Sequence, residues 1–144
     1  PEDSKKTKTV REYFPREFDT IRAAAKRNNC TGENLRVLFA IRKAENGRPS
    51  REFGIIHPRC EEEMKKRLTE TLDIQAGWAA ATVVKNFLRW KTAGGKGPTE
   101  DFISFLGSRY APLKDEEGNS IPGNEYWTHN VTFWYTKLKN CELE

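Results

Sequence analysis

Long apolar runs are missing from this 144-residue chain: the most hydrophobic stretch, around Gly77 to Val84, ends at Lys85. A membrane helix needs roughly 20 consecutive apolar residues, so no membrane span is expected. Sulfur and imidazole are scarce as well, with three Cys, one Met and two His. Cys30, Cys60 and Cys141 lie far apart, without a CxxC pair or a Cys/His cluster. The expectation is neither a zinc site nor a disulfide scaffold, and no residue is assigned as a metal ligand. At most one disulfide can form, by any of three pairings. The G-x-S-x-G elbow, the Walker phosphate loop and the H-E-x-x-H helix are absent too. Gly94-Gly95-Lys96-Gly97 follows a helical pattern rather than a strand and reads as a plain loop. A Cys/His nucleophile would need Cys60 beside His57 or His129, which no spacing demands. No cofactor is expected, and any catalysis falls to carboxylates.

What is present is charge and aromatic bulk. Lys and Arg number 25 against 21 Asp and Glu, a net +4, while four Trp, eight Phe and four Tyr supply large apolar surfaces. That composition suits one folded domain. Residues 1–12 read as a flexible basic arm and 13–142 as the domain, with Leu143-Glu144 as the remnant of an expression tag. The arm is polar and Lys-rich, with no apolar core of a signal peptide visible.

The periodicity predicts six or so helices. One runs from about Pro15 to Arg27; a second is capped by Thr31 and stops at Asn46-Gly47, where glycine accepts the left-handed conformation. Arg48 to Pro58 reads as a loop or one short strand, followed by a charged helix with Glu61/Lys65 and Glu62/Lys66 pairs. A long helix from Asp73 to Trp90, with Ile74, Trp78, Ala81, Val84 and Leu88 as its apolar stripe, is expected to run through the middle of the domain. Thr99 caps the next helix, Asp115 to Gly123 is a loop, and an aromatic helix bearing Tyr126, Trp127, Val131, Trp134 and Leu138 closes the chain.

One carboxylate is oddly placed. Glu45 ends an apolar helix directly before the Asn46-Gly47 stop. The C-terminal end of a helix carries partial negative charge, so stability would favour Lys or Arg there. The same field, with burial against aromatics, disfavours the ionised form and raises the pKa. A carboxylic acid that keeps its proton is what cleavage of a glycosidic bond needs as a general acid.

Three segments then read together. Ala44-Glu45-Asn46-Gly47 resembles the Glu-Ser-Gly motif of goose-type lysozymes and lytic transglycosylases. Gly54-Ile55-Ile56-His57 is similar to that family's Gly-Leu-Met-Gln, and Asp73-Ile74-Gln75-Ala76-Gly77 to its Asn-Ile-x-Ala-Gly. The resemblance covers roughly Leu35 to Trp90. It implies a mainly α, single lysozyme-like domain with a short loop or strand after the catalytic helix, and Glu45 as catalytic acid. His57 stands where the family has Gln and is by that match a candidate for substrate contact. The later Ala-Tyr-Asn-x-Gly motif is only echoed in Ser104-Phe105-Leu106-Gly107, so Tyr110, Asn124 and Trp127 become the candidates for substrate contact. Glu52, seven residues after Glu45, is the candidate second catalytic carboxylate, as base or nucleophile; Asp73 is the other acid considered, with helix capping as its simpler role.

The expected function is a muramidase or lytic transglycosylase cutting the β-1,4 bond between N-acetylmuramic acid and N-acetylglucosamine. Its partner would be the peptidoglycan strand, in the periplasm or outside the cell, and its expected state a monomer. Two rivals stand beside it. One is a lysozyme-like domain that has lost catalysis and binds glycan or protein. The other is a basic nucleic-acid module using Lys5, Lys6, Lys8, Arg11 and the Lys91 to Lys96 loop, for which the net +4 is modest and no reading motif is present.

Overall fold

The computed structural model describes residues 8–67 and 71–144, so Lys5, Lys6 and the first seven residues of the expected arm lie outside the described residues. Seven α-helices make up the described chain: α1 (Val10–Tyr13), α2 (Phe18–Arg27), α3 (Glu33–Glu45), α4 (Pro58–Arg67), α5 (Leu72–Thr92), α6 (Thr99–Tyr110) and α7 (Trp127–Leu138). A 3-10 turn, Asn124–Tyr126, leads into α7. No strand forms among the described residues; a single antiparallel bridge, Lys114 with Ser120, closes the 112–123 loop into a small hairpin. The chain is one mainly α domain, and no described helix is long and apolar enough to cross a membrane.

The order of packing differs from the expectation in one respect. The centre is α3, not α5: Val37 to Ile41 are five consecutive residues without solvent exposure, so this helix is covered all round, by α7, α5 and α2. Phe39 meets the rings of Phe14 and Phe18 at 4.8 and 5.3 Å. On α5 the stripe facing the core is Leu72, Gln75, Ala76, Ala79, Ala80, Val83 and Asn86. The larger apolar residues anticipated there sit on the partly exposed side, with Leu88 60% exposed. Small side chains win the inner face because they let α2, α3 and α6 approach the helix axis closely.

Residues 9–12 and the C-terminal residues are held against the domain, contrary to expectation. Residues 9–12, read as part of the arm, contain a Thr-x-x-Glu capping box: Glu12 N–H donates to Thr9 Oγ1 at 3.2 Å and Thr9 N–H to Glu12 Oε1 at 3.1 Å. Val10 is fully buried, and its N–H and that of Arg11 donate to the carbonyls of Glu142 and Leu143. Leu143 packs on the core and Glu144 pairs with Arg11 and Arg22. The entry to α3 passes through Gly32 as cap residue, which leaves Thr31 one position too early to cap, and α2 starts three residues beyond Pro15. Cys30, Cys60 and Cys141 are buried free thiols.

The 46–57 segment decides where the site can be. Asn46, rather than Gly47, takes the left-handed conformation that ends α3, at φ 46°. Gly47 is required for a different reason: a Cβ there would lie 1.7 Å from the carbonyl oxygen of Arg51. Three polar anchors tie the segment down. Arg42 donates from Nη1 to the carbonyls of Gly47 and Glu52 at 3.0 and 2.9 Å, while its Nε and Nη2 hold the Glu17 carboxylate at 2.8 and 2.9 Å. Glu52, 2% exposed, accepts from Thr71 N–H at 2.7 Å and Thr71 Oγ1 at 2.9 Å. Gln75, fully buried on α5, accepts from Phe53 N–H at 3.0 Å and donates to the carbonyls of Ser50 and Ile55 at 3.0 and 2.9 Å.

Gln75→Leu keeps the volume but strands these backbone groups in the interior. Each buried group left without a partner costs about 1–3 kcal/mol, so the substitution should lower unfolding stability by about 3 kcal/mol or more in a urea titration. A loss under about 1 kcal/mol would show that the segment finds other partners.

Candidate active site

A cleft of about 360 Å³ opens between the end of α3, the 46–57 segment, the end of α6 and the start of α7. Glu45, Gly54, Ile56, Tyr110, Asn124 and Trp127 are among its lining residues. Glu45 stands where the apolar helix emerges from the core, and it is the single carboxylate on the cleft wall among the described residues. Trp127 Nε1–H donates to Glu45 Oε2 at 2.9 Å. The first residue of α7 can reach it because Gly107 lets α6 and α7 close up: a Cβ at Gly107 would stand 2.2 Å from Thr128 Oγ1. Across the cleft the carboxyl group lies against Gly54, whose φ is +77° and whose hypothetical Cβ would fall 2.5 Å from Glu45 Cδ and Oε1. Only glycine meets both demands at this turn.

Electrostatics follow from that enclosure. Burial raises the Glu45 pKa above its ordinary value, and the Trp127 N–H, which favours the ionised form, opposes it with the smaller effect. Tyr110 is pushed well above a normal phenol, first by burial and then by the nearby Glu45 charge. It therefore keeps its proton, and its hydroxyl donates to the Phe53 carbonyl at 2.7 Å. The Tyr110 and Trp127 rings stack at 5.0 Å and 27°. Asn124 donates its amide N–H to the Pro112 carbonyl at 2.8 Å, which pins the hairpin over one end of the cleft.

Of the residues proposed from sequence, four converge and two do not. Glu45, Tyr110, Asn124 and Trp127 line one cleft. Glu52 is absent from the wall, with both carboxyl oxygens engaged by Thr71. The seven-residue spacing placed it beside Glu45 along the chain, but the tight turn folded over Gly47 directs it to α5 instead. His57 is elsewhere too: its Nδ1 accepts from Arg59 N–H at 3.0 Å, so it caps the first turn of α4, and its ring meets Trp78 at 4.8 Å. Cys60 faces Gln75 Nε2 at 3.3 Å and forms no pair with histidine. Asp73 lies in the first turn of α5. Sequence reading missed Gln75 as the residue holding the cleft's second wall, and missed Ile56, Ile121 and Asn130 on its lining. Asn130 was readable in principle, one helical turn after Trp127; Ile121 was not, because a loop carries no periodicity. No group of three His, Cys, Asp or Glu that could hold a metal occurs among the described residues.

Comparison with known families, with curated proteins and with solved structures gives no match to this chain.

The Glu45 shift makes a prediction about stability. Its pKa is raised in the folded state, so the native protein binds the proton more tightly than the unfolded chain does. Wild-type stability from this group is fully present at low pH and is lost as pH rises through the folded value. Glu45→Gln, which cannot ionise, should therefore gain in Tm relative to wild type as pH climbs from about 4 towards neutrality. Melting both proteins across that range checks it; a gap that moves the other way would mean that Glu45 is stabilised as a carboxylate.

Proposed function

We propose that the chain is a lysozyme-like glycosidase that cleaves the β-1,4 bond between N-acetylmuramic acid and N-acetylglucosamine in peptidoglycan, with Glu45 as the general acid and base. The observation that carries the reading is the half-buried Glu45 carboxyl, at a helix end inside an open cleft, held by one oxygen to Trp127 and with its proton affinity raised by burial. Oε2 is fixed by the indole, so Oε1 is the oxygen that presents the proton. Glu45 gives that proton to the leaving glycosidic oxygen. As a carboxylate it then draws a proton from the group that completes the reaction, either water or the 6-hydroxyl of the muramic residue.

Cleavage with a protein nucleophile or base requires a second carboxylate at a set distance across the sugar. Glu45 stands alone on the described wall and Glu52 is spent on Thr71, which supports a route in which the substrate's own N-acetyl group assists. The place of action would be the cell wall, periplasmic or extracellular. A silent glycan-binding domain is the second reading. It is favoured by one observation, that the Tyr110 hydroxyl and the Trp127 N–H are both taken by protein groups, which leaves few polar atoms for a sugar.

Clearance of purified peptidoglycan by the wild type decides between them, and two substitutions test the role of Glu45. Glu45→Gln should reduce clearance of purified peptidoglycan by about 10²–10⁴-fold, the usual contribution of general acid catalysis, while the protein stays folded. Equal rates for mutant and wild type would remove Glu45 from the chemistry. In Trp127→Phe the donor that stabilises the ionised form is gone, so the Glu45 pKa rises further and the alkaline limb of the activity profile should move to higher pH. A limb that moves lower would contradict the hydrogen bond's role.

A further inference from the structure

Trp78 is the one tryptophan of the four that joins no core cluster, whereas Trp90, Trp127 and Trp134 all pack into it. It stands half-buried on the outer side of α5, in a groove of about 300 Å³ that α2, α4 and α5 share. Two exposed arginines line that groove, Arg27 from the end of α2 and Arg59 from the first turn of α4. The Arg59 guanidinium lies 6.0 Å from the Trp78 ring centre, and the His57 ring meets it edge-on at 4.8 Å. Asp73 is the single carboxylate among the groove's described lining residues, so positive charge prevails there.

The floor of the groove supplies an independent observation. Gly77 lies within α5, where glycine weakens a helix. Packing does not demand it, since the nearest atom to a Cβ built there is Asn28 Nδ2 at 3.9 Å. The glycine instead leaves a flat, open floor beside an aromatic face. The groove and the cleft are one residue apart in sequence: Ile56, 71% exposed, lines the cleft, and the next residue, His57, touches Trp78.

We propose that this groove is a second glycan site, which takes an anionic stretch of the same strand that enters the Glu45 cleft; the proposal rests on the peptidoglycan reading of that cleft. The C–H face of a sugar ring stacks on Trp78 over the Gly77 floor, and carboxylates borne by the strand pair with Arg27 and Arg59. One aromatic and two arginines form no extended track for a nucleic acid, and the single chain step from Ile56 in the cleft to His57 on Trp78 favours a glycan. The site gives a grip on a long strand at a distance from the scissile bond.

The test is co-sedimentation with insoluble peptidoglycan, done in the Glu45→Gln background so that binding is read without cleavage, with a single-stranded oligonucleotide as second probe. Adding Trp78→Ala should weaken wall binding by about tenfold. Adding Gly77→Glu, which improves the helix and sets a carboxylate between the arginines, should weaken it at least as much without lowering Tm. Weaker binding with an intact fold establishes the groove as a glycan contact. Undiminished wall binding by both variants overturns the second site and leaves the cleavage reading standing. If the wild-type protein neither cleaves nor sediments with the wall, both readings fall together. If the two substitutions abolish oligonucleotide binding but spare the wall, the groove serves nucleic acid and the proposal is wrong.

Discussion

The arrangement depends on the Gln75 side chain. A segment of a dozen residues with no regular structure has to lie against a helical core, and its backbone N–H and C=O groups must find partners once water is excluded. A single amide, with donors and acceptors at one end, serves three of those residues: it accepts from Phe53 and donates to Ser50 and Ile55. Arg42 and the Glu52–Thr71 pair complete the hold from either side. Buried polar networks of this kind specify one conformation when every member is satisfied, and no buried side-chain polar atom among the described residues lacks a partner. Ser50 accordingly keeps a φ of +80°, strain that the surrounding bonds sustain.

That fixed segment turns a helix end into a site. Glu45 alone would be an exposed acid in an unfavourable field. With Gly54 pressed against its carboxyl and Trp127 bonded to one oxygen, it becomes an enclosed group with a defined orientation and a displaced proton affinity. The same contacts explain why the stacked Tyr110 and Trp127 pair matters: one ring ties the cleft to the segment at Phe53, the other ties it to the acid. Stability is given up at Glu45 and recovered in the all-round burial of α3 just behind it.

Helix content and order were legible because hydrophobic period and stop signals are local. Pro15, the Asn46-Gly47 pair, Pro98 and the Gly123 turn punctuate the helices within a few residues of their observed ends. Glu45 was legible for the same reason: a carboxylate just before a stop is a local anomaly. The inner face of α5 was misread because size was taken as a guide to burial. Its core side is set by Ala76, Ala79 and Ala80, which admit neighbouring helices, and that is a property of the neighbours.

Composition and local pattern by themselves determined a mainly helical domain with a carboxylate at the end of an apolar helix. Only the tertiary structure decided that Tyr110, Asn124 and Trp127 would join Glu45 while Glu52 and His57 would not. The partners of Glu45 lie up to 82 residues away along the chain. Which side chains share a cleft is settled by helix crossings, by the Gly47 and Gly107 contacts that permit them, and by one buried amide. None of these leaves a periodic trace in the sequence.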